Sequence, residues 1–333
     1  MTARPIVVAC DLFLDLKLYR LPEPWQARLK AAFPGLSLAP VAVPGREDSA
    51  ELSKAEVYWG NRFSAERLAA MPALRWVHFG SVGVDKALDP RVAARKLVVT
   101  NSPGMASAAI AAHAVALATG LSRGLHRAGR LREERKLDRP NFDAYWDEIQ
   151  DLDGQEALVV GLGDSGRRVA AVLTALGMRV SGVRSGVGAP PAGVAELVAP
   201  ERLLEAASRA DLVVGLLPLT SKTRGFFGAA FIGAMKRSAF FVNVGRGETV
   251  DEPALVKALQ DGAIAGAGLD VFAREPLAAD SPLWDCPRAI LTPHVAGLSR
   301  TYWDREVPLF MDNLRRYLDG AALVHRVDFE RGY

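Results

Sequence analysis

Cysteine is nearly absent: Cys10 and Cys286 are the only two in 333 residues, which excludes a disulfide framework and fits a reducing compartment. Long apolar runs are lacking too. The N-terminal "MTARPIVVACDLFLD" has only a short apolar stretch before Asp11, too little for the core of a signal peptide. The most apolar segment, "MASAAIAAHAVALATGL", is alanine-rich and interrupted by Ser107 and His113. A membrane span needs about 20 strongly apolar residues, so this segment reads as a buried helix. Charge of one sign is missing as well. The net charge is +3, and the one basic stretch, "SRGLHRAGRLREERK", interleaves Glu133 and Glu134 with its arginines as a solvated helix face does. No membrane and no nucleic-acid partner is expected, and the protein reads as cytoplasmic. No pair of histidines has metal-ligand spacing, so no metal is expected either.

What is there is a regular alternation. A chain of this length accommodates two cores. In the first hundred residues "PIVVAC", "LSLAPVAV", "AEVYWG", "LRWVHFG" and "LVVTN" read as strands, with "EPWQARLKAAF" and "SAERLAAM" as helices. The Ala-rich helix begins near Met105, after the breaker "NSPG". A polar stretch from Gly129 to Gln155 precedes a second series: "ALVVGLG", a helix over 166–176, "MRVSGVRS", "PERLLEAASRA", "DLVVGLLP", "AFFVNVG", "PALVKALQDG", "GAGLDVF" and "AILTPHV". A helical segment, "DREVPLFMDNLRRYLDG", follows. Two βα series imply an α/β protein with two doubly wound parallel sheets, helices covering each, and a cleft between two domains.

Gly161, Gly163 and Gly166 form G-x-G-x-x-G directly after an apolar strand and before a helical pattern. The three glycines suit a tight turn, close approach of backbone to a pyrophosphate, and close helix–strand packing, with the helix N-terminus facing the phosphates. Ser165 lies within this expected cofactor loop. Asp164 puts a carboxylate there too, tolerable beside phosphate only if its side chain points away. About twenty residues on, an NAD-selective chain carries Asp or Glu for the ribose hydroxyls. Here stand Arg184 and Ser185. Arg184 can pair with a 2′-phosphate and Ser185 can donate to it, pointing to NADP(H). An Arg184 that is merely solvated leaves NAD(H) as the alternative.

Three later segments carry side chains suited to one reaction. "FFVNVGRGETVDEP" sets Arg246 between two glycines at a strand end, "GAGLDVFAREPL" sets Asp270 and Glu275 after another, and "ILTPHVAG" sets His294 after a third. Ligands gather at the carboxyl ends of strands in open α/β sheets. Hydride transfer to a 2-oxo acid needs a planar cation for carboxylate and carbonyl, which Arg246 offers. The developing alkoxide needs a proton, which His294 can give. A carboxylate beside the imidazole, Glu275, favours its charged form and orients the ring. Asp270 either fixes a nicotinamide carboxamide or tunes the histidine. His78, His113, His126 and His325 read as structural.

The run "SVGVD", "NSPGM", "GLGDSG", "PLTSKT", "NVGRG", "LDVFAREPL" and "TPHVAG" resembles the D-isomer-specific 2-hydroxyacid dehydrogenases, which include glyoxylate/hydroxypyruvate reductases and phosphoglycerate dehydrogenases. The resemblance covers nearly the whole chain. It implies a flavodoxin-like substrate domain (1–103 and 296–333) with a Rossmann nucleotide-binding domain (104–295) inserted in it. It further implies Arg246, Glu275 and His294 as the catalytic trio, with Arg246 and His294 also touching substrate. The backbone amides of Val82 and Gly83 are implied to hold the substrate carboxylate, and Pro218, Thr223, Val244 (by backbone) and Asp270 to touch the cofactor. A homodimer built around the Ala-rich helix and its following arm is implied, and a small 2-oxo acid as substrate. The sequence departs from the family at Ala106 and Ala112, where Asn and Glu are frequent, and at Arg184. Loops near Tyr58, Trp59, Phe79 and Trp303 are expected to set substrate specificity, and Tyr145, Trp146 and Trp303 are candidates for lining the pocket, the first two from a partner subunit, with core or interface packing as the alternative. Two further readings stay open: an NAD-dependent dehydrogenase of a phosphorylated or bulky substrate, and a dinucleotide-sensing binding protein of the same fold.

Overall fold

The computed structural model describes residues 4–12, 20–41, 49–85, 89–184, 186 and 188–330. The chain divides into two compact units, Met1–Ala106 with Leu298–Tyr333, and Ser107–Gly297. Each is built on a wholly parallel sheet.

In the first unit the strands are β1 (Ile6–Cys10), β2 (Leu36–Pro40), β3 (Val57–Gly60), β4 (Trp76–Phe79) and β5 (Val98–Thr100). Their order is β2-β1-β3-β4-β5, the flavodoxin-like winding. β3 (VYWG) and β4 (WVHF) are buried at every position, as strands covered on both faces must be. The helices are α1 (Glu23–Ala32) and α2 (Pro90–Ala94), with a last one, Tyr302–Leu318, in the returning segment. "SAERLAAM", expected as a helix, forms a 3-10 turn over Ala65–Ala69, too short for an α-helix to propagate.

The second unit opens with α3 (Ser107–Ser122), α4 (Leu125–Glu133) and α5 (Arg139–Asp143). α4 and α5 run into the stretch that reads as merely polar, and Asp138 caps α5 by accepting the Asn141 amide. The sheet follows: β6 (Glu156–Val160), β7 (Arg179–Val183), β8 (Glu196–Leu197), β9 (Leu212–Gly215), β10 (Phe240–Asn243), β11 (Gly266–Leu269) and β12 (Ala289–Leu291). The helices between them are α6 (Asp164–Ala175), α7 (Leu203–Arg209), α8 (Ala229–Ala234) and α9 (Glu252–Gln260), which makes the Tyr302–Leu318 helix α10. The order β12-β11-β10-β9-β6-β7-β8 reverses direction between β6 and β9, as in a Rossmann sheet. α3 lies on β10, β11 and α6. Its small residues and the glycines of β11 let helix and sheet approach: a Cβ on Gly268 would stand 2.9 Å from Leu117 Cβ.

Among the described residues no single helix is long and apolar enough to cross a membrane; α3 and α4 reach that composition only together, bent by 70° at their break.

A buried polar network fastens α10 to the first sheet. Glu306 accepts from Trp59 Nε1 at 2.8 Å, from His78 Nε2 at 3.2 Å and from Ser102 Oγ at 2.6 Å. Thr100 Oγ1 extends it to His78 Nδ1 (2.7 Å) and Trp76 Nε1 (2.8 Å). His78, Thr100, Ser102 and Glu306 are fully buried, so the network binds elements together and faces no ligand. Removing the carboxylate strands several buried donors, each costing about 1–3 kcal/mol when unsatisfied. Glu306→Ala is expected to lose about 3–5 kcal/mol, read by urea denaturation. Glu306→Gln should lose less, because Ser102 Oγ has Phe79 O at 3.1 Å as another acceptor.

Candidate active site

Gly161 directly follows β6, at φ +108, where a Cβ would lie 2.8 Å from Leu216 O; conformation and space both exclude a side chain. Gly166, in the first turn of α6, faces Gly161 O at a distance that would leave 1.9 Å to a Cβ. These two glycines are required by the protein's own packing. Gly163 is different: its φ is −70 and an added Cβ would meet nothing within 4 Å. The space before the N-terminus of α6 is open, and no side chain caps that end. A pyrophosphate fits such a place, drawn by unpaired amides and the positive helix end.

The flanking residues tune that position. Asp164 pairs with Arg167 one turn along α6, so its charge is compensated on the helix surface. Ser165 Oγ donates to Ser107 Oγ at 3.2 Å, tying α6 to the start of α3. Arg184 follows β7 directly and is partly buried, with Nε donating to Gly186 O at 3.1 Å. Among the described residues no carboxylate lies within ion-pair distance of it. The expectation for Ser185 falls outside the described residues. After β9, Pro218 is exposed and Thr223 folds back on it, its Oγ1 donating to Pro218 O at 2.6 Å and accepting from Thr220 N at 2.8 Å. Val244, at the end of β10, is buried and its amide donates to Gly215 O at 3.1 Å.

Arg246 stands on a loop pressed between its neighbours. A Cβ on Gly245 would come within 2.8 Å of Leu217 O, and one on Gly247 within 1.9 Å of the Phe272 carbonyl carbon. Arg246 O accepts from Thr249 Oγ1 at 2.6 Å and from Asn243 Nδ2 at 3.1 Å, which fixes the backbone from which the guanidinium projects.

His294 Nδ1 lies 2.6 Å from Glu275 Oε2, and the two side chains are 46% and 35% exposed, open to a ligand. Glu275 Oε1 accepts from the Phe272 amide at 3.1 Å. Partial burial pushes the Glu275 carboxyl up, but the His294 hydrogen bond and charge, the Phe272 amide and the Arg246 charge outweigh it and hold it below its ordinary value. An ionised carboxylate only accepts, so Nδ1 is the donor and Nε2 is the nitrogen left for chemistry.

Asp270 stands just past β11 and is 1% exposed. Its Oδ1 accepts from Thr292 Oγ1 at 2.6 Å and Val295 N at 2.9 Å, its Oδ2 from Ala296 N at 2.8 Å. Its main-chain oxygen accepts from His294 N at 2.8 Å. The carboxylate therefore moulds the loop carrying His294, which adopts the left-handed conformation at φ +54. Thr292 is missed in sequence because it carries no chemistry of its own; its position two residues before the histidine is the only signal.

Val82 and Gly83 belong to the other unit, after β4. Val82 is exposed and its oxygen accepts from Asn101 Nδ2 at 2.8 Å, while Gly83 O accepts from Ser81 Oγ at 3.0 Å. Tyr58, Trp59, Phe79 and Trp303 are all buried in the first unit's core, with Tyr58 donating to Asp11 at 2.6 Å and Trp59 stacked on Phe310. Trp303 thus takes the alternative of core packing. Tyr145 packs under the Arg127 guanidinium, and Trp146 is 73% exposed. No group of three metal-ligating side chains occurs among the described residues.

Residues 115–296 match the family model of the D-isomer specific 2-hydroxyacid dehydrogenase NAD binding domain. The chain is 35% identical over 273 residues to a glyoxylate reductase of Korarchaeum cryptofilum, covering 80% of both chains. It is 33% identical to a D-3-phosphoglycerate dehydrogenase of Mycobacterium leprae over 80% of its own length and 49% of that protein's. Among solved structures, a D-isomer specific 2-hydroxyacid dehydrogenase from Xanthobacter autotrophicus Py2, in complex with NADPH and MES, superposes with a TM-score of 0.81 at 28% identity, covering 99% of this chain and 100% of that one. With a glycine loop after β6 and an arginine, a carboxylate and an imidazole after β10, β11 and β12 of one Rossmann sheet, the chain belongs to the D-isomer-specific 2-hydroxyacid dehydrogenase family.

Proposed function

We propose that the protein is an NADPH-dependent reductase that converts a small 2-oxo acid, of the glyoxylate or hydroxypyruvate kind, to the D-2-hydroxy acid. The 2.6 Å contact between His294 and Glu275 carries the reading, because it prepares one imidazole nitrogen as a proton donor. The bound dinucleotide supplies the hydride that reduces the carbonyl carbon. Arg246 binds carboxylate and carbonyl oxygens and holds the carbonyl polarised. The amides of Val82 and Gly83 hold the carboxylate. His294 Nε2 delivers its proton to the carbonyl oxygen as charge develops there, and Glu275 stabilises the imidazolium before that transfer. One hydride and one proton add across C=O, which balances the reduction.

NADPH is the preferred cofactor in this reading. Arg184 occupies the place of a ribose-binding carboxylate, and the Xanthobacter relative was crystallised with NADPH. Pro218, Thr223, Val244 and the face of Asp270 belong to the dinucleotide's surroundings. The protein works as a cytoplasmic homodimer; Leu125, Leu137 and Trp146, exposed on the segment after α3, are the apolar surface a second copy would cover. The test is a matrix of NADPH and NADH against glyoxylate, hydroxypyruvate, pyruvate and bulkier 2-oxo acids. Tight cofactor binding without turnover of any of them would overturn the reading.

His294→Ala is expected to lower turnover about 10²- to 10⁴-fold, the usual contribution of a positioned acid; near-normal turnover removes His294 from the mechanism. A charge-assisted hydrogen bond contributes about 1.5–3 kcal/mol, so Arg184→Asp should lower kcat/KM for NADPH about tenfold or more and favour NADH. An unchanged cofactor ratio would show that Arg184 does not set it. Glu275 titrates below its ordinary value in the folded protein. Its contribution to stability is therefore complete above the unfolded glutamate pKa of about 4.3 and is lost as pH falls through the lower folded value. Glu275→Gln should be less stable than wild type at neutral pH and converge with it in acid, measured by urea denaturation; a gap independent of pH would contradict the pairing.

A further inference from the structure

We propose that His113, on α3, is a positioning residue for His294, acting through Thr292 and Asp270; this rests on His294 being the proton donor. His113 is separated from Thr292 by 179 residues, yet its Nε2 lies 2.9 Å from Thr292 Oγ1 and 3.4 Å from Asp270 Oδ1.

The direction of these bonds follows from counting hydrogens. Asp270 accepts from three donors, and Thr292 Oγ1 gives it the hydroxyl's only hydrogen at 2.6 Å. Nothing remains on Thr292 to donate, so His113 Nε2 is the donor to Thr292 Oγ1. The order is His113 Nε2–H to Thr292 Oγ1–H to Asp270 Oδ1. His113 is also the only group able to carry positive charge within ion-pair distance of this carboxylate among the described residues, and the carboxylate is 1% exposed. A buried carboxylate depends on such partners.

Asp270 holds the His294 loop at four points: the Thr292 hydroxyl and the amides of residues 294, 295 and 296. A histidine at φ +54 keeps that conformation only while the surroundings impose it. His113 fixes the hydroxyl end of this clamp and touches no reacting atom itself. Its position on the long helix α3 gives it a rigid base, flanked by Ala111, Ala112 and Ala114, which leave the imidazole room to reach the loop.

The experiment compares wild type, His113→Ala, His113→Gln and Thr292→Val by steady-state kinetics, NADPH binding and hydrogen exchange in the peptide containing residues 292–297. His113→Ala is expected to lower kcat by about tenfold or more, as misplacement of a reacting group does, with KM and the NADPH dissociation constant changed less than about twofold. The Val295 and Ala296 amides should exchange faster. Thr292→Val should reproduce both effects, and His113→Gln, which keeps an N–H donor, should restore most of kcat and protection. Wild-type kcat and exchange in His113→Ala would overturn the inference. So would a His113→Gln as impaired as His113→Ala, which would mean that shape alone matters. If wild type reduces no 2-oxo acid, the proposed function fails separately, and the exchange rates still decide whether His113 holds the loop.

Discussion

The buried carboxylate of Asp270 is the constraint on which the site depends. It stands at the end of β11, inside the protein, and takes hydrogen bonds from a hydroxyl and two amides of the loop after β12. Such a carboxylate, shielded from water, is tolerated only when satisfied, and satisfying it draws one loop into a single shape. His294 sits in the middle of that loop in a conformation most side chains avoid. Two carboxylates thus divide the work: Asp270 sets the backbone of residue 294, and Glu275 sets the plane and the protonated nitrogen of its ring.

A second constraint acts through glycine. Several loops leave the carboxyl end of the same sheet, and they stack so closely that side chains have no room. Gly166 lies on Gly161 O, Gly245 on Leu217 and Gly247 on Phe272. The last two contacts press the Arg246 loop against the loops after β9 and β11, so the guanidinium and the Glu275 carboxylate are brought into electrostatic reach. At Gly163 an added Cβ would meet no protein atom within 4 Å, so this glycine is not kept for packing, and its open face suits a ligand.

Much of this was legible in the sequence because it is local. A G-x-G-x-x-G after an apolar strand announces a helix start, and the buried strands VYWG and WVHF read as continuous apolar runs. The same rule accounts for the burial of Tyr58, Trp59 and Phe79, which stand on β3 and β4. Aromatic residues on strands of a parallel sheet covered on both faces go to the core, and a polar atom on the ring is satisfied there, as Trp59 Nε1 is by Glu306. The partner of Asp164 was also within reach, since Arg167 lies one helical turn away. The contact of His113 with Thr292 was not: it depends on how α3 lies on β10 and β11, and no spacing in the chain expresses that.

The arrangement of charge around the glycine loop bears on cofactor choice beyond the missing carboxylate. Arg167 and Arg184 both lie near the two strand–helix junctions where a dinucleotide would lie, but only one has its charge answered. Arg167 is paired with Asp164, so the loop's acid and base cancel each other on the surface of α6. Arg184 is partly buried, steered by Gly186 O, and faces no carboxylate among the described residues. A guanidinium held in place without an anion favours whichever ligand brings one, and a ribose hydroxyl brings none. The extra phosphate of NADPH does. In the proposed reading, the Asp164–Arg167 pair leaves the glycine loop to the pyrophosphate shared by both dinucleotides, and Arg184 after β7 is the residue that would distinguish them.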